Sequence, residues 1–95
     1  MKQPAVYIIT NKRNGTLYTG VTSNLVQRIY QHKQKIIKGF SSNHDCKILV
    51  YYEMHEDMYN AITREKQIKG GSRKKKLFFI EGINPNWNDL YEDIV

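Results

Sequence analysis

Residues 4–10 read PAVYIIT and residues 16–21 read TLYTGV, two runs rich in the β-branched and aromatic side chains that are typical of strands. The intervening NKRNG ends in Asn14-Gly15, a pair that favours tight hairpin turns because both residues tolerate positive φ. The sequence therefore predicts an antiparallel hairpin. Gly20 lies inside its second strand. Since glycine weakens a strand, Gly20 indicates that another group approaches the backbone closely there.

A first helix is predicted directly after the hairpin. Ser23 or Asn24 is suited to cap its start, and Gly39 to end it after about Lys38. Apolar side chains recur within it at helical spacing and predict its buried face: Leu25, Ile29 and Ile36. The polar run SSNHD that follows is expected to be a loop.

The rest of the chain predicts a third strand and two further helices. The strand is CKILVYYE, residues 46–53, and a second helix runs from about Asp57 to Lys69. Gly70-Gly71 ends it, and Ser72 caps a third helix that continues to about Glu81. A short helical turn is expected near Pro85. The order ββαβαα over residues 1–95 predicts a single α+β domain, with a small three-stranded antiparallel sheet flanked by helices.

Composition and charge narrow the class of protein. The chain has 95 residues and one cysteine, which excludes an internal disulfide and fits a reducing compartment. No apolar run approaches the roughly 18 residues of a membrane helix, and no signal peptide is evident, so we expect a cytoplasmic protein. The net charge of +6 is distributed in blocks: residues 1–44 and 64–80 are strongly basic, whereas residues 45–63 and 81–95 are acidic. A basic surface of this size favours a nucleic-acid partner over a merely solubilising role.

Three polar side chains disturb the predicted core stripes. Glu65 falls on the apolar face of the second helix, where a carboxylate is costly unless it is paired or bound to a metal. Either it pairs with a base such as Lys69, or it serves a function. Arg28 and His32 lie four residues apart beside the apolar stripe of the first helix and therefore point the same way. A solvated arginine and a satisfied histidine explain them structurally, but an arginine fork also suits phosphate.

These residues complete a pattern. Val6-Tyr7-Ile8, together with Tyr18-Thr19-Gly20 that begins ten positions after Ile8, resembles the signature of the GIY-YIG nuclease superfamily. Arg28, His32 and Glu65 follow at the distances and on the helices that this family uses. The resemblance covers nearly the whole chain and is strongest to the small single-domain bacterial GIY-YIG proteins. They share a TREKQIK-like helix, here residues 63–69, and an NPxWxDLY tail, here residues 84–91.

The resemblance implies hydrolysis of a DNA phosphodiester with one divalent ion, Mg²⁺ or Mn²⁺. By position, Glu65 holds the metal, Arg28 contacts the scissile phosphate, and Tyr18 or Tyr7 acts near the attacking water. His32 is a second candidate for the base, since histidine has an ordinary pKa near neutral pH. We expect Tyr7, Tyr18, Arg28 and Glu65 to converge in one concave site on one face of the sheet.

The chain departs from the family pattern at several positions. Ala5 replaces the first glycine of the signature and Thr19 replaces an isoleucine. Val21 stands where the repair enzymes of the family carry a lysine, and Ser41 near a further histidine of the homing enzymes. Relatives also use a late asparagine, which Asn84 or Asn86 could match. Trp87 and Asn86 are otherwise expected to pack against the domain, with Trp87 in the core.

Three functions are compatible with these observations. The first is a metal-dependent endonuclease acting on duplex or branched DNA, in repair or recombination. The alternative is a non-catalytic nucleic-acid-binding module that retains the fold, and the third is a basic protein–protein adaptor, which salt-dependent DNA binding would separate from the first two. With little room for a specificity domain, substrate choice would rest on DNA shape, on a homodimer or on an accessory protein. The residues expected to contact DNA form one basic stretch along the last two long helices: Lys69, Arg73, Lys74, Lys75 and Lys76.

Overall fold

The computed structural model describes residues 3–95 and forms a three-stranded antiparallel sheet with helices on both faces. The elements in chain order are β1 (Ala5–Thr10), β2 (Leu17–Thr22), α1 (Leu25–Lys33), α2 (Phe40–Asn43), β3 (Ile48–Met54), α3 (Met58–Lys69), α4 (Arg73–Ile83) and α5 (Tyr91–Ile94). The strand order is β2-β1-β3, so the strand that carries Tyr7 is central. The predicted fold class is confirmed, with α2 and α5 as short additions to the predicted order.

The hairpin forms as its turn residues predict. Asn14 has a φ of 58°, and the Gly15 amide donates to the Lys12 carbonyl at 2.9 Å. β1 pairs with β2 from Ala5 opposite Thr22 to Thr10 opposite Leu17. This register places Tyr7 directly opposite Gly20, which sets up the close approach described below.

Because side chains alternate along a strand, the sheet buries two separate apolar clusters. On one face, Val6 and Ile8 of β1 pack with Ala61 and Ile68 of α3. On the other, Tyr7 packs with residues of α1 and of the C-terminal tail. That second cluster contains Ala5, Tyr7, Ile9, Leu25, Ile29, Cys46 and Leu49. The helices α1 and α3 therefore cover opposite faces of the sheet.

The first helix is shorter than the sequence predicts. Asn24 caps it by accepting from the Gln27 amide at 3.2 Å, but it ends at Lys33 and not near Lys38. Lys35 adopts a φ of 56°, its amide donates to the His32 carbonyl, and the Ile36 amide donates to the Gln31 carbonyl. These bonds are a Schellman motif, which ends a helix through one left-handed residue.

The early end of α1 corrects two further predictions. Ile36, expected in the core stripe, is 60% exposed because the helix stops before it. The segment SSNHD, expected to be a loop, contributes to α2, which begins directly after Gly39; the φ of Gly39 is 128°.

The third predicted long helix is α4. Ser72 caps it by accepting from the Lys75 amide, as expected. Ile62 of α3 is 38% exposed.

The C-terminal tail covers the outer edge of β3. The Leu90 amide donates to the Leu49 carbonyl at 2.7 Å, and the Asp89 carboxylate accepts from the Leu49 amide at 3.2 Å. Since an uncovered strand edge invites pairing with other chains, these bonds protect the sheet on this side. Lys33 of α1 binds the same Asp89 carboxylate at 2.5 Å and ties the tail to the first helix.

Candidate active site

Tyr7 lies at the centre of the sheet and is 1% exposed. Its ring covers the backbone of Gly20: a Cβ placed on Gly20 would lie 2.4 Å from both Cζ and Oη of Tyr7. This close approach is the reason for the glycine that the sequence indicated. Any larger residue at position 20 would push the tyrosine ring out of its place.

His32 of α1 lies above Tyr7 and is 3% exposed. Its Nε2 lies 2.8 Å from the Tyr7 hydroxyl oxygen, and its Nδ1 lies 3.1 Å from the hydroxyl oxygen of Ser41 on α2. Both ring nitrogens therefore have buried partners. The three side chains form a continuous hydrogen-bonded chain from the sheet to α2.

The charge state of His32 differs from the sequence-based expectation. Burial, and then the nearby Arg28 guanidinium, lower the pKa of His32 to about 4. His32 therefore does not have the near-neutral pKa that was expected of it as a base. The imidazole is neutral at pH 7 and can accept one hydrogen bond and donate another.

The pKa of Tyr7 also departs from its ordinary value. Burial raises the pKa of its hydroxyl, and the charges of Tyr18 and Glu65 raise it further, whereas Arg28 opposes them. Burial has the largest effect because the phenolate would lose its hydration. The Tyr7 phenol keeps its proton at neutral pH and serves as a hydrogen-bond donor.

Tyr18 extends the cluster towards the surface. Its ring centroid lies 6.5 Å from that of Tyr7 and 5.6 Å from the His32 ring. On the outer side it stacks against Phe40, with centroids 6.2 Å apart and the planes inclined by 24°. Tyr18 is half-buried and Phe40 is 50% exposed, so the cluster opens to solvent on the side of α2.

Arg28 completes this group from α1, one turn before His32. It is half-buried and forms no ion pair with any of residues 3–95. Its charge acts on the pKa of both Tyr7 and His32, which places the guanidinium close to both. A half-buried guanidinium without a carboxylate partner is suited to receive a phosphate.

Glu65 lies on a helix that is separate from the one that carries Arg28 and His32. Its helix, α3, packs on the face of the sheet opposite to Tyr7. The Glu65 side chain is 12% exposed and pairs with Lys69 at 2.9 Å, and the Lys69 ammonium lies 5.9 Å from the centre of the Tyr18 ring. The charge of Glu65 also acts on the pKa of Tyr7, so the acid lies near the tyrosines although α1 and α3 cover opposite faces of the sheet. The expected convergence of the four residues in one concave site stays a prediction.

Glu65 is the acidic residue near these side chains, and a carboxylate oxygen is a suitable ligand for an ion such as Mg²⁺. Within residues 3–95 there is no group of three or more His, Cys, Asp or Glu that could hold a metal ion by protein ligands alone. Mg²⁺ does not need such a cage, since it commonly binds one or two carboxylates together with water and substrate phosphates. A single carboxylate such as that of Glu65 fits that mode.

Comparison with known proteins shows which family this chain belongs to. Residues 3–78 match the family model described as the GIY-YIG catalytic domain. The chain belongs to the GIY-YIG family. The resemblance seen in the sequence is thereby confirmed, and the family is one of nucleases.

Individual relatives extend the likeness of this GIY-YIG chain over most of its length. A UPF0213 protein of Staphylococcus haemolyticus is 38% identical over 81 residues, which cover 85% of this chain and 98% of that protein. A UPF0213 protein of Desulfotalea psychrophila is 32% identical over 92 residues, which cover 94% of this chain and 83% of that protein. The solution NMR structure of a UPF0213 protein from Bacillus halodurans has the same fold, with a TM-score of 0.56 at 24% identity. The match covers 94% of this chain and 93% of that protein.

The basic stretch of this GIY-YIG domain is largely engaged in internal contacts. Lys69 pairs with Glu65, and Arg73 donates to the carbonyls of Asn14 and Gly15 in the hairpin turn. Lys76 donates to the Lys69 and Gly71 carbonyls and thereby satisfies the C-terminal end of α3.

Two of the predicted DNA-contacting lysines remain outside this internal network. Lys74 and Lys75 are exposed and form no side-chain hydrogen bond or ion pair with residues 3–95. Lys75 lines a groove of about 270 Å³ between α3 and α4, together with Arg64 and Phe79. In this part of the chain, Lys74 and Lys75 are the members of the predicted set best placed to meet a polyanion.

The two late asparagines of the GIY-YIG domain have different environments. Asn84 is 4% exposed, and its amide group donates to the Val50 and Asn88 carbonyls while its oxygen accepts from the Asn88 amide. These bonds hold the tail against β3. Asn86 is exposed. Trp87 is 6% exposed and belongs to the core, as predicted.

Ser41 and Phe40 were not identified as site residues from the sequence. They join the cluster because α2 folds back over the end of α1, and no local pattern indicates that. Residues 3–95 also contain no helix with the length and apolar character needed to cross a membrane.

Proposed function

We propose that this chain is a divalent-metal-dependent endonuclease that hydrolyses phosphodiester bonds in DNA. The observation that carries the proposal is the contact between Tyr7, Tyr18 and His32, with Arg28 and the Glu65–Lys69 pair beside them. Membership of the GIY-YIG family supports the same chemistry. A DNA partner is further supported by the net charge of +6 and the exposed lysines of α4.

Each side chain has a role that follows from its surroundings. Arg28 offers donors to a phosphate oxygen, and Glu65 is the ligand for Mg²⁺ or Mn²⁺. When bound, such an ion stabilises negative charge on the phosphate and lowers the pKa of water. Arg28 also fixes a positive charge where the phosphate carries its negative charge, which is the general means by which enzymes lower such barriers.

The structure distinguishes the two tyrosines in this proposal. Tyr7 is buried and its hydroxyl is hydrogen-bonded to His32, so it is not free to meet a water molecule. Tyr18 is half-buried on the open side of the cluster. We therefore assign to Tyr18 the position facing the attacking water, and to Tyr7 and His32 the support of that geometry. The neutral His32 ring holds Tyr7 in place.

The decisive experiment incubates the protein with duplex, branched and single-stranded DNA in the presence of Mg²⁺, Mn²⁺ or EDTA. Metal-dependent cleavage of at least one substrate is the expected result, with Glu65→Gln as the inactive control. Salt-dependent binding to all substrates without cleavage under any metal would instead identify a non-catalytic binding module. Absence of both binding and cleavage would remove DNA as the partner.

A further inference from the structure

Ser41 is a buried side chain that contacts the proposed catalytic cluster and has no role in it so far. It is 4% exposed and lies in α2, and its hydroxyl oxygen is 3.1 Å from Nδ1 of His32. The backbone around it is fixed, because its carbonyl accepts from the Cys46 amide at 2.8 Å. Ser41 is thus held rigidly against the histidine from outside the helix that carries the histidine.

The direction of the hydrogen bonds can be deduced from the donors available. The Tyr7 hydroxyl has Arg28 close by, which is a donor only, and His32 Nε2 at 2.8 Å. A protonated Tyr7 can therefore give its hydrogen to Nε2 but not to Arg28. A neutral imidazole that accepts at Nε2 carries its proton at Nδ1, where Ser41 provides the acceptor.

We propose that Ser41 is a positioning residue that holds His32 in the Nδ1-protonated tautomer, so that Nε2 stays available as the acceptor for the Tyr7 hydroxyl. This inference deepens the proposed nuclease function and rests on it for its catalytic consequence. The structural part stands independently. Without an acceptor at Nδ1, the ring gains by moving its proton towards Nε2, and the Tyr7 hydroxyl then loses its own acceptor.

The test measures the tautomer of His32 directly by long-range ¹H–¹⁵N correlation NMR of the imidazole, near pH 7, without DNA or metal. His32→Gln assigns the signal. The wild-type protein is expected to show the Nδ1-protonated pattern. Ser41→Ala is expected to shift His32 towards the Nε2-protonated form, and Ser41→Thr, which keeps the hydroxyl, to restore the wild-type pattern.

Ser42→Ala is the matched control. Ser42 is the next residue of α2, and its hydroxyl bonds to the Gly39 backbone and not to His32. It should leave the His32 pattern unchanged. Melting temperatures of all variants show that each protein is folded. If Ser41→Ala does not fold, the wild-type and Ser41→Thr spectra still decide the point, because an Nε2-protonated wild type overturns the inference.

Single-turnover cleavage gives the catalytic readout. Ser41→Ala is expected to slow cleavage on the order of 10–100-fold, by analogy with the loss of groups that orient metal-ligating histidines, whereas Ser41→Thr should recover most of the rate. A Ser41→Ala protein with an unchanged tautomer or an unchanged cleavage rate overturns the inference. A wild-type protein that cleaves no DNA but shows the expected tautomers contradicts the proposed function and leaves the assignment of Ser41 to His32 in place.

Discussion

The backbone of Gly20 supports the ring of Tyr7 so closely that a Cβ at position 20 would lie 2.4 Å from Cζ and Oη of the tyrosine. The two residues are direct partners across β1 and β2. Since the Tyr7 hydroxyl also bonds to His32, the glycine fixes the position of the whole buried chain of hydrogen bonds.

Gly20→Ala is therefore expected to destabilise the fold by about 1–3 kcal/mol, the usual cost of overpacking a core, and to reduce cleavage by displacing Tyr7. Gly82→Ala is the matched control, because nothing lies within 4 Å of its Cβ position on the exposed side of α4. It should stabilise the protein by about 0.5–1 kcal/mol through helix propensity. Denaturant unfolding measures both. Equal stabilities would contradict the packing argument.

Glu65→Gln keeps the size of the side chain and removes its charge. Cleavage should fall by orders of magnitude, because Mg²⁺ favours charged oxygen ligands. The melting temperature should change little, because the mostly buried Glu65 loses its pair with Lys69 but also no longer carries a desolvated charge. Lys69→Gln removes the same pair and keeps the acid, and serves as the control for the stability effect. An unaltered single-turnover rate beside a lowered melting temperature would take Glu65 out of the active site.

His32 predicts a pH dependence of stability. Its pKa is lowered to about 4 in the folded protein, against about 6.5 in the unfolded chain. Between these values the unfolded state binds more protons, so stability rises with pH and is lost as pH falls from about 6.5 to about 4. One proton corresponds to a slope of at most about 1.4 kcal/mol per pH unit.

Urea unfolding of the wild type and His32→Gln between pH 4 and 7 tests this prediction. The unfolding free energy of the variant should rise less steeply with pH, with a slope lower by up to about 1.4 kcal/mol per pH unit. Parallel curves for the two proteins would show that His32 is not the buried neutral group described above.

The lysines of α4 should separate by function. Replacing Lys74 and Lys75 together by Gln is expected to weaken binding to every DNA sequence alike and to reduce the salt slope by about 2, roughly one for each phosphate contact. The melting temperature should not fall. Arg73→Gln is expected instead to lower the melting temperature, because it removes two bonds to the hairpin turn. A change of sequence preference in the double variant would contradict binding to the DNA backbone.

Asn84→Ala is expected to destabilise the protein by about 1–3 kcal/mol, because it leaves the buried Val50 carbonyl and the Asn88 backbone without partners. For a domain of this size each kcal/mol lowers the melting temperature by about 4–8 °C. Asn86→Ala, at an exposed position, should have little effect. If Asn84→Ala instead abolished cleavage at an unchanged melting temperature, Asn84 would be a site residue and not a structural one.

Much of the fold could be predicted because its signals are local. The Asn14-Gly15 turn fixes the hairpin, Asn24 and Ser72 cap α1 and α4, and the β-branched and aromatic runs define the strands. The signature residues of the site could also be recognised, since their order and spacing resemble those of a known family. Each of these features depends on residues close together in the chain or on a known pattern.

Tertiary structure decided what those residues do. The Tyr7–His32 bond joins residues 25 apart and the bonds of Arg73 to the hairpin turn span 58 and 59 residues, so no local pattern could indicate them. A neutral, buried His32 follows from the packing of α2 over α1, because desolvation depends on the surrounding chain. The sequence by itself therefore determined most of the elements and the candidates for the chemistry, whereas burial and long-range contacts determined where α1 ends, the charge of the site residues and their partners.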